Sequence, residues 1–346
     1  AAAAGGFTTV VLMANTKPAV DTKETLSYVL EKGRKTGIHV ESCACITKGL
    51  AGKELTDMKT LREAGAAGFT DDGIPILDEA LVKAAMEQAK ELDVPLSFHE
   101  EDPAYIENNG INHGKASAYY QIGGSDRMAE ISLVRRDLEL ALSTGAAFDV
   151  QHISAKESVA LVREAKKRAK EMGMDNIHAE ATPHHFSLTE EAAIQYGTLA
   201  KMNPPLREEA DRMAVIEGLA DGTIDLIATD HAPHSAEEKA KPLTEAPSGI
   251  IGLETAFSLA ITNLVRPGYL DLPTLFERMS LAPAKLYHLP AGQIKEDMPA
   301  DLIVFDDAAE VVYEKFASKS SNSPFTGQKL YGRIEMTICE GKEIQK

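Results

Sequence analysis

The chain has 346 residues, 44% of them hydrophobic, with 53 acidic against 36 basic side chains and a net charge of −17. That length suits one large domain with an appendage, and the acidic balance excludes nucleic acid or an anionic membrane surface as a natural partner. Three cysteines (Cys43, Cys45, Cys339) make no disulfide framework and fit a reducing cytoplasm, and no apolar run or leader indicates a membrane span or secretion.

Residues 1–6, AAAAGG, read as the end of a helix with its glycine stop, so something is expected to precede them. Residues 7–13 (FTTVVLM) form a strand-like run, 22–35 carry helical spacing, and 38–44 form a second strand. Cys43 and Cys45 share a face of that strand and read as small buried residues rather than a metal pair. A helix over 58–64 leads to a third strand, 67–70, which ends in Asp71-Asp72-Gly73. Residues 77–92 are helical, and strand 95–98 ends in His99-Glu100-Glu101-Asp102. A helix over 128–142 precedes strand 147–150, which ends in Gln151-His152. A helix over 156–172 precedes strand 177–181, which runs into Thr182-Pro183-His184-His185. After a helix over 207–219 comes IDLIATDHAPH (224–234), an apolar β-branched body ending in Thr229-Asp230-His231. Helices are expected over 253–264 and 272–284, then short strands at 301–305, 311–313 and 334–339.

Strands alternating with helices indicate a parallel sheet with helices outside it. Eight such units close a (β/α)8 TIM-type barrel with its site at the strands' C-terminal face; seven are present, as if the first strand were missing. The expected division is a barrel over 1–288 and a small β-sandwich segment over 289–346. A barrel short of one strand has two unpaired edges, so the chain is expected to belong to a larger protein or to be supported by another chain.

On one rim the strand ends bring together Asp72, His99, His152, Asp230 and His234, with Asn15 and Asn203 nearby. Each has a plainer reading: Asp71 and Asp72 as turn residues before Gly73, His99 as a satisfied core histidine, Asp230 as a helix cap. His184 and His185 are read as structural, and His39, His113, His178 and His288 receive no role. Taken together, two imidazoles and two carboxylates suit zinc or a similar divalent ion. A carboxylate shared by two ions would activate a bridging water, and an acid beside it would shuttle protons.

The stretches GGFTTVVLMANTKP (5–18), GFTDDG (68–73), FHEED (98–102), QHISAKES (151–158), ATPHH (181–185), KMNPPLR (201–207), IDLIATDHAPH, SGIIGLET (248–255), PADLIVFD (299–306) and SNSPFTG (321–327) resemble the type I dihydroorotases of the amidohydrolase superfamily. The resemblance covers nearly the whole chain. It implies reversible, zinc-dependent hydrolysis of the cyclic amide of dihydroorotate to N-carbamoyl-aspartate in pyrimidine biosynthesis, by a cytoplasmic homodimer. It further implies that Asp72 bridges two zinc ions where hydantoinase-like relatives use a carbamylated lysine, that His99 and His152 bind the second ion, and that Asp230 binds the first and moves the proton. Asn15, Asn203, His234 and the backbone at Ser248 and Gly249 would hold the substrate, beneath a loop near 245–249. The family's first-strand His-x-His and its following arginine are absent from this sequence, so the first ion's donors have no counterpart and one zinc in place of two is an open alternative. Either the chain lacks its N-terminal part, which the retained Asp72, His99, His152, Asp230 and His234 favour, or it is a non-catalytic scaffold of this type. A hydantoinase or allantoinase is the rival enzyme.

Overall fold

A computed structural model describes residues 1–344. Among the described residues nine strands fall into parallel and antiparallel groups. β1 (Thr9–Leu12) pairs in parallel with β2 (His39–Ser42), and β3 (Leu96–Phe98), β4 (Phe148–Val150), β5 (Ile177–Ala181) and β6 (Leu226–Ile227) form a parallel sheet in that order. Phe69 joins the two groups through parallel bridges to Ala44 on one side and Leu96 on the other. The result is one parallel arc of seven strand positions, each but the last followed by helix on its way to the next, which is the strand–helix order of a (β/α) barrel.

The third position is a single bridged residue rather than the full strand expected over 67–70. Gly68 explains the constriction: a Cβ there would lie 2.9 Å from the Tyr287 ring and 3.1 Å from the Pro95 carbonyl, so the backbone passes where no side chain fits. Among the described residues β1 has β2 as its one partner and β6 has β5. The arc therefore has two free edges, and on β1 the apolar side chains are half-buried, with Leu12 37% exposed. By contrast, β3 and β4 are buried on both faces, as strands covered by helices must be.

Local chemistry sets the helix starts. Thr22 and Thr25 form a reciprocal capping box before Lys23–Gly33. The Asp78 carboxylate accepts from the Ala80 and Leu81 N–H groups and opens Glu79–Leu92, satisfying donors the first turn leaves unpaired. Helices Met128–Thr144, Lys156–Glu171 and Glu209–Asp221 cover the middle of the arc. The helices expected over 253–264 and 272–284 are interrupted, each passing from a short α-helix (Ala256–Ala260, Leu272–Phe276) into a π-helical turn (Ile261–Val265, Glu277–Leu281). Four short helices escaped the periodicity: Lys115–Tyr120, Pro183–Ser187, Glu191–Tyr196 and Ala236–Lys239. The core is contiguous; its largest buried side chains include Phe69, Phe148 and Phe186, and Phe98 meets Phe148 edge-on at 5.5 Å. Among the described residues no helix is long and apolar enough to cross a membrane.

The C-terminal segment is a three-stranded antiparallel sheet, β7 (Leu302–Val312), β8 (Lys329–Cys339) and β9 (Lys342–Glu343). The strands expected at 301–305 and 311–313 are one strand with register shifts after Val304 and Asp306, so two bulges bend it without ending it. The sheet packs on the barrel core: Phe305 lies 5.2 Å from Phe257 and 5.4 Å from Phe276, and Leu330 and Ile334 are buried in the same cluster. The opening residues form a short turn, Ala3–Gly5, ended by Gly6 at φ 89°. Thr337 of β8 donates to the Ala3 carbonyl at 2.7 Å.

Candidate metal centre

The C-terminal ends of the parallel strands converge as expected. His99 follows β3 directly, His152 lies two residues past β4, Asp72 follows the bridged third position, and Asp230 lies three residues past β6. His152 and Asp230 both adopt positive φ, 33° and 45°, a conformation that costs a non-glycine residue about 1–3 kcal/mol and clusters at functional sites.

Asp72, His99 and His152 offer donor atoms that all lie within 4.8 Å of one another. His99 Nδ1 is 3.0 Å from His152 Nε2, and Asp72 Oδ1 is 3.9 Å from each of them. A point equidistant from the three atoms is about 2.1 Å from each, the bond length zinc makes to imidazole and carboxylate. Two imidazole nitrogens sharing a proton at hydrogen-bond distance beside a carboxylate can exchange that proton for a cation. The electrostatics agree. Burial pushes the Asp72 carboxyl up, but the His152 and His99 imidazoles and the Asn15 amide outweigh it and hold it below the usual carboxylate range. Burial pulls the His152 imidazole down, yet Asp72, at 3.9 Å an ion-pair contact rather than a hydrogen bond, together with Asp230 and Glu180, holds it up at about 9. A centre that favours a proton so strongly favours a metal cation on the same atoms.

The surroundings orient these donors. Glu101 Oε2 lies 3.1 Å from His99 Nε2. With Nδ1 given to an ion, Nε2 carries the proton and donates to that carboxylate, the usual support of a ligating histidine. Asn203 Nδ2 sits 3.2 Å from the same nitrogen, a contact that is no hydrogen bond once that nitrogen carries the proton, and its Oδ1 is buried with no partner. The Asn15 amide donates to Asp72 Oδ2 at 3.0 Å, so it holds the carboxylate rather than standing free for a substrate. Asp71, the neighbouring acid, is structural: it accepts from the Ile46 and Thr47 N–H groups and from the Thr47 hydroxyl.

Asp230 lies outside the three-donor set but in its field. Burial pushes its carboxyl up and Asp72 adds to this, while His152 and His99 pull it back, leaving it at about 6. Its Oδ2 is 3.8 Å from His184 Nε2, a buried nitrogen with no hydrogen-bond partner. Burial holds His184 well below its usual value and so neutral. The sequence reads His184 as structural; the structure places its Nε2 beside Asp230. His185 does fit that reading, sealed between Thr182 Oγ1 at 2.8 Å and the Pro204 carbonyl at 3.1 Å.

The remaining candidates gather on the loop beside the rim. His234 Nε2 is 2.9 Å from the Ser248 carbonyl, and the Ser248 hydroxyl donates to Asn109 Oδ1 at 3.4 Å. Gly249 is already engaged on both sides, its N–H donating to the Lys201 carbonyl and its carbonyl accepting from Lys239 Nζ. Its backbone is therefore a loop anchor. Glu101 and His184 are the two residues the sequence reading missed.

A family model described as dihydro-orotase-like matches residues 1–158. The chain is 54% identical over 343 residues to a dihydroorotase of Clostridioides difficile, covering 99% of this chain and 80% of that protein. It is 52% identical over 346 residues to a dihydroorotase of Clostridium acetobutylicum, covering 99% and 80%. Among solved structures it resembles L-hydantoinase from Arthrobacter aurescens (TM-score 0.85, 25% identity, 100% of this chain and 78% of that one). It also resembles dihydropyrimidinase from Brevibacillus agri (TM-score 0.82, 20% identity, 100% and 78%).

Proposed function

Since this chain belongs to the dihydroorotase family, we propose that it serves the reversible hydrolysis of dihydroorotate to N-carbamoyl-aspartate, in pyrimidine biosynthesis, at the Asp72–His99–His152 rim. The observation that carries this reading is the donor triangle, whose dimensions fit a zinc ion, in a chain about half identical to proteins named for that activity. Asp72, His99 and His152 would hold the metal, with Glu101 fixing the His99 tautomer. Zinc bound there would polarise the ring carbonyl and lower the pKa of a bound water toward neutrality. Whether one ion or two work here is a matter of stoichiometry; the resemblance implies two.

Asp230 is the proton carrier. A carboxyl at about 6 is near the pH at which it must both accept and return a proton. It takes the proton released as water attacks the carbonyl carbon, and delivers it to the leaving ring nitrogen as the C–N bond breaks. His184, neutral and 3.8 Å away, stands beside that carboxyl without a hydrogen bond to it and leaves its charge unpaired. Asn203 Oδ1, buried and unpaired, is the acceptor offered to a ring N–H. His234 and Ser248 shape the wall toward the 245–249 loop, while Asn15 acts on substrate only through Asp72.

Hydantoinase activity is the second reading, favoured by the likeness to L-hydantoinase from Arthrobacter aurescens; the closer sequence similarity is to dihydroorotases. Turnover by the zinc-loaded protein decides. Dihydroorotate is expected to be hydrolysed in preference to hydantoin and allantoin, with loss of activity to background in H152N. Preference for hydantoin, or activity indifferent to H152N, would overturn the assignment. We also read 1–288 as the catalytic unit, 289–346 as its appended sheet, and the working form as a cytoplasmic homodimer; the homodimer rests on the resemblance, and a sedimentation mass of twice the chain tests it.

A further inference from the structure

A second group of metal-type donors lies at the other end of the barrel. His39 opens β2, at the N-terminal end of the parallel arc, whereas the rim residues lie past the strands' C-terminal ends. His39, Asp301 and Cys339 present an imidazole nitrogen, a carboxylate oxygen and a thiol sulfur, all within 4.8 Å of one another. They come from three separate stretches: the start of β2, the residue preceding β7 and the end of β8. The backbone fixes each in place. His39 N–H donates to the Thr8 carbonyl at 2.8 Å, Cys339 Sγ lies 3.9 Å from that same carbonyl, and Asp301 Oδ1 accepts from the Glu340 N–H at 2.8 Å.

What remains free points inward. Asp301 Oδ2 is 3.1 Å from His39 Nε2, yet that nitrogen, buried at the atom, makes no hydrogen bond. The N–H direction misses the oxygen, so the two groups stand side by side as co-ligands do rather than as donor and acceptor. Cys339 is buried, while the His39 and Asp301 side chains are 32% and 12% exposed, so the group lies just beneath the surface.

We propose that His39, Asp301 and Cys339 form a second metal site, for zinc or a similar borderline divalent cation, that staples the barrel to the C-terminal sheet. A thiolate, an imidazole and a carboxylate are three donors of the kinds zinc accepts, and thiolate discriminates against magnesium and calcium. Binding forms a metal–sulfur bond at Cys339 and releases its thiol proton to water, with no change of oxidation state. The site lies away from the rim and does not depend on the dihydroorotase reading.

Cobalt(II) separates the two sites. The rim donors are nitrogen and oxygen, so a thiolate-to-cobalt charge-transfer band in the near ultraviolet that depends on Cys339 reports the proposed site. The chelator-stripped full chain titrated with cobalt(II) alone is expected to develop that band, to lose it in C339S and to keep it in C43S. H39Q, which leaves the sulfur, is expected to weaken cobalt binding at this band by more than the roughly 10–100-fold lost with an outer-shell partner. Circular dichroism confirms the fold of each variant, and if C339S does not fold, the H39Q titration decides. No band in the folded wild-type protein, a band that survives in C339S, or unchanged affinity in H39Q would overturn the proposal.

Discussion

The Glu101 carboxylate gives the account a sharp test, because it touches the metal only through His99. It is buried, with Oε2 3.1 Å from His99 Nε2 and Oε1 accepting from the Ser125 hydroxyl at 3.3 Å. In E101Q the volume is unchanged, but the charge that stabilises the Nε2–H tautomer is gone. His99 Nδ1 then becomes a weaker base and a less firmly aimed ligand. Losing an outer-shell partner of this kind costs about 10–100-fold in metal affinity, or roughly 1.4–2.7 kcal/mol. Zinc affinity is read by competition with a chromogenic chelator, in a C339S background so that only the rim reports, and urea unfolding checks that the fold is intact. Affinity equal to that of the parent would mean that His99 does not bind through Nδ1, and the site as described would be wrong.

Other substitutions separate packing from chemistry. Phe148 is fully buried against Phe98, so F148A is expected to cost about 3–5 kcal/mol in urea unfolding; a loss under about 1 kcal/mol would mean the barrel interior is not packed there as described. D71A leaves two backbone N–H groups and a hydroxyl at residues 46–47 without an acceptor and is expected to destabilise by about 2–4 kcal/mol. D72A, which orphans no backbone donor, should instead abolish metal binding and cost less apo stability than D71A, and the opposite ranking would reverse the roles of the two acids. Burial pulls His185 from 6.5 down to about 3, so the unfolded chain binds a proton that the folded one refuses. Its contribution is whole above pH 6.5 and is lost as the pH falls toward 3, with a slope of up to about 1.4 kcal/mol per pH unit. A flatter acid limb in H185N would show this, and an unchanged limb would refute it.

Much of this was legible in the sequence, for reasons particular residues make clear. Strand β5 appeared with its predicted ends because Ile177, Ala179 and Ala181 alternate with half-buried partners. The rim was legible because an acid or histidine at a strand's C-terminal end has few reasons to be there except a site. The third strand shrank to Phe69 because Gly68 must slip past Tyr287 and Pro95, a tertiary constraint no local pattern shows. The approach of His184 to Asp230 was not legible although Thr182-Pro183 is a helix-opening signal: Thr182 caps the His185 N–H, and the short helix turns His184 toward Asp230. Glu101 was not legible at all. FHEED offers three acids after the histidine, and only the backbone path sends Glu101 to His99, leaves Glu100 buried among Asp137 and Arg136, and makes Asp102 a cap for the Ala104 N–H. The pairing of His39 with Asp301 and Cys339 spans some 300 residues, which no motif reports.

The central claim is that Asp72, His99 and His152 are the ligands of a catalytic zinc. Anomalous diffraction at the zinc edge from zinc-loaded crystals tests it most directly. A peak is expected about 2.1 Å from His99 Nδ1, His152 Nε2 and Asp72 Oδ1, absent in H152N. At saturating zinc, no peak within bonding distance of those three atoms would contradict it.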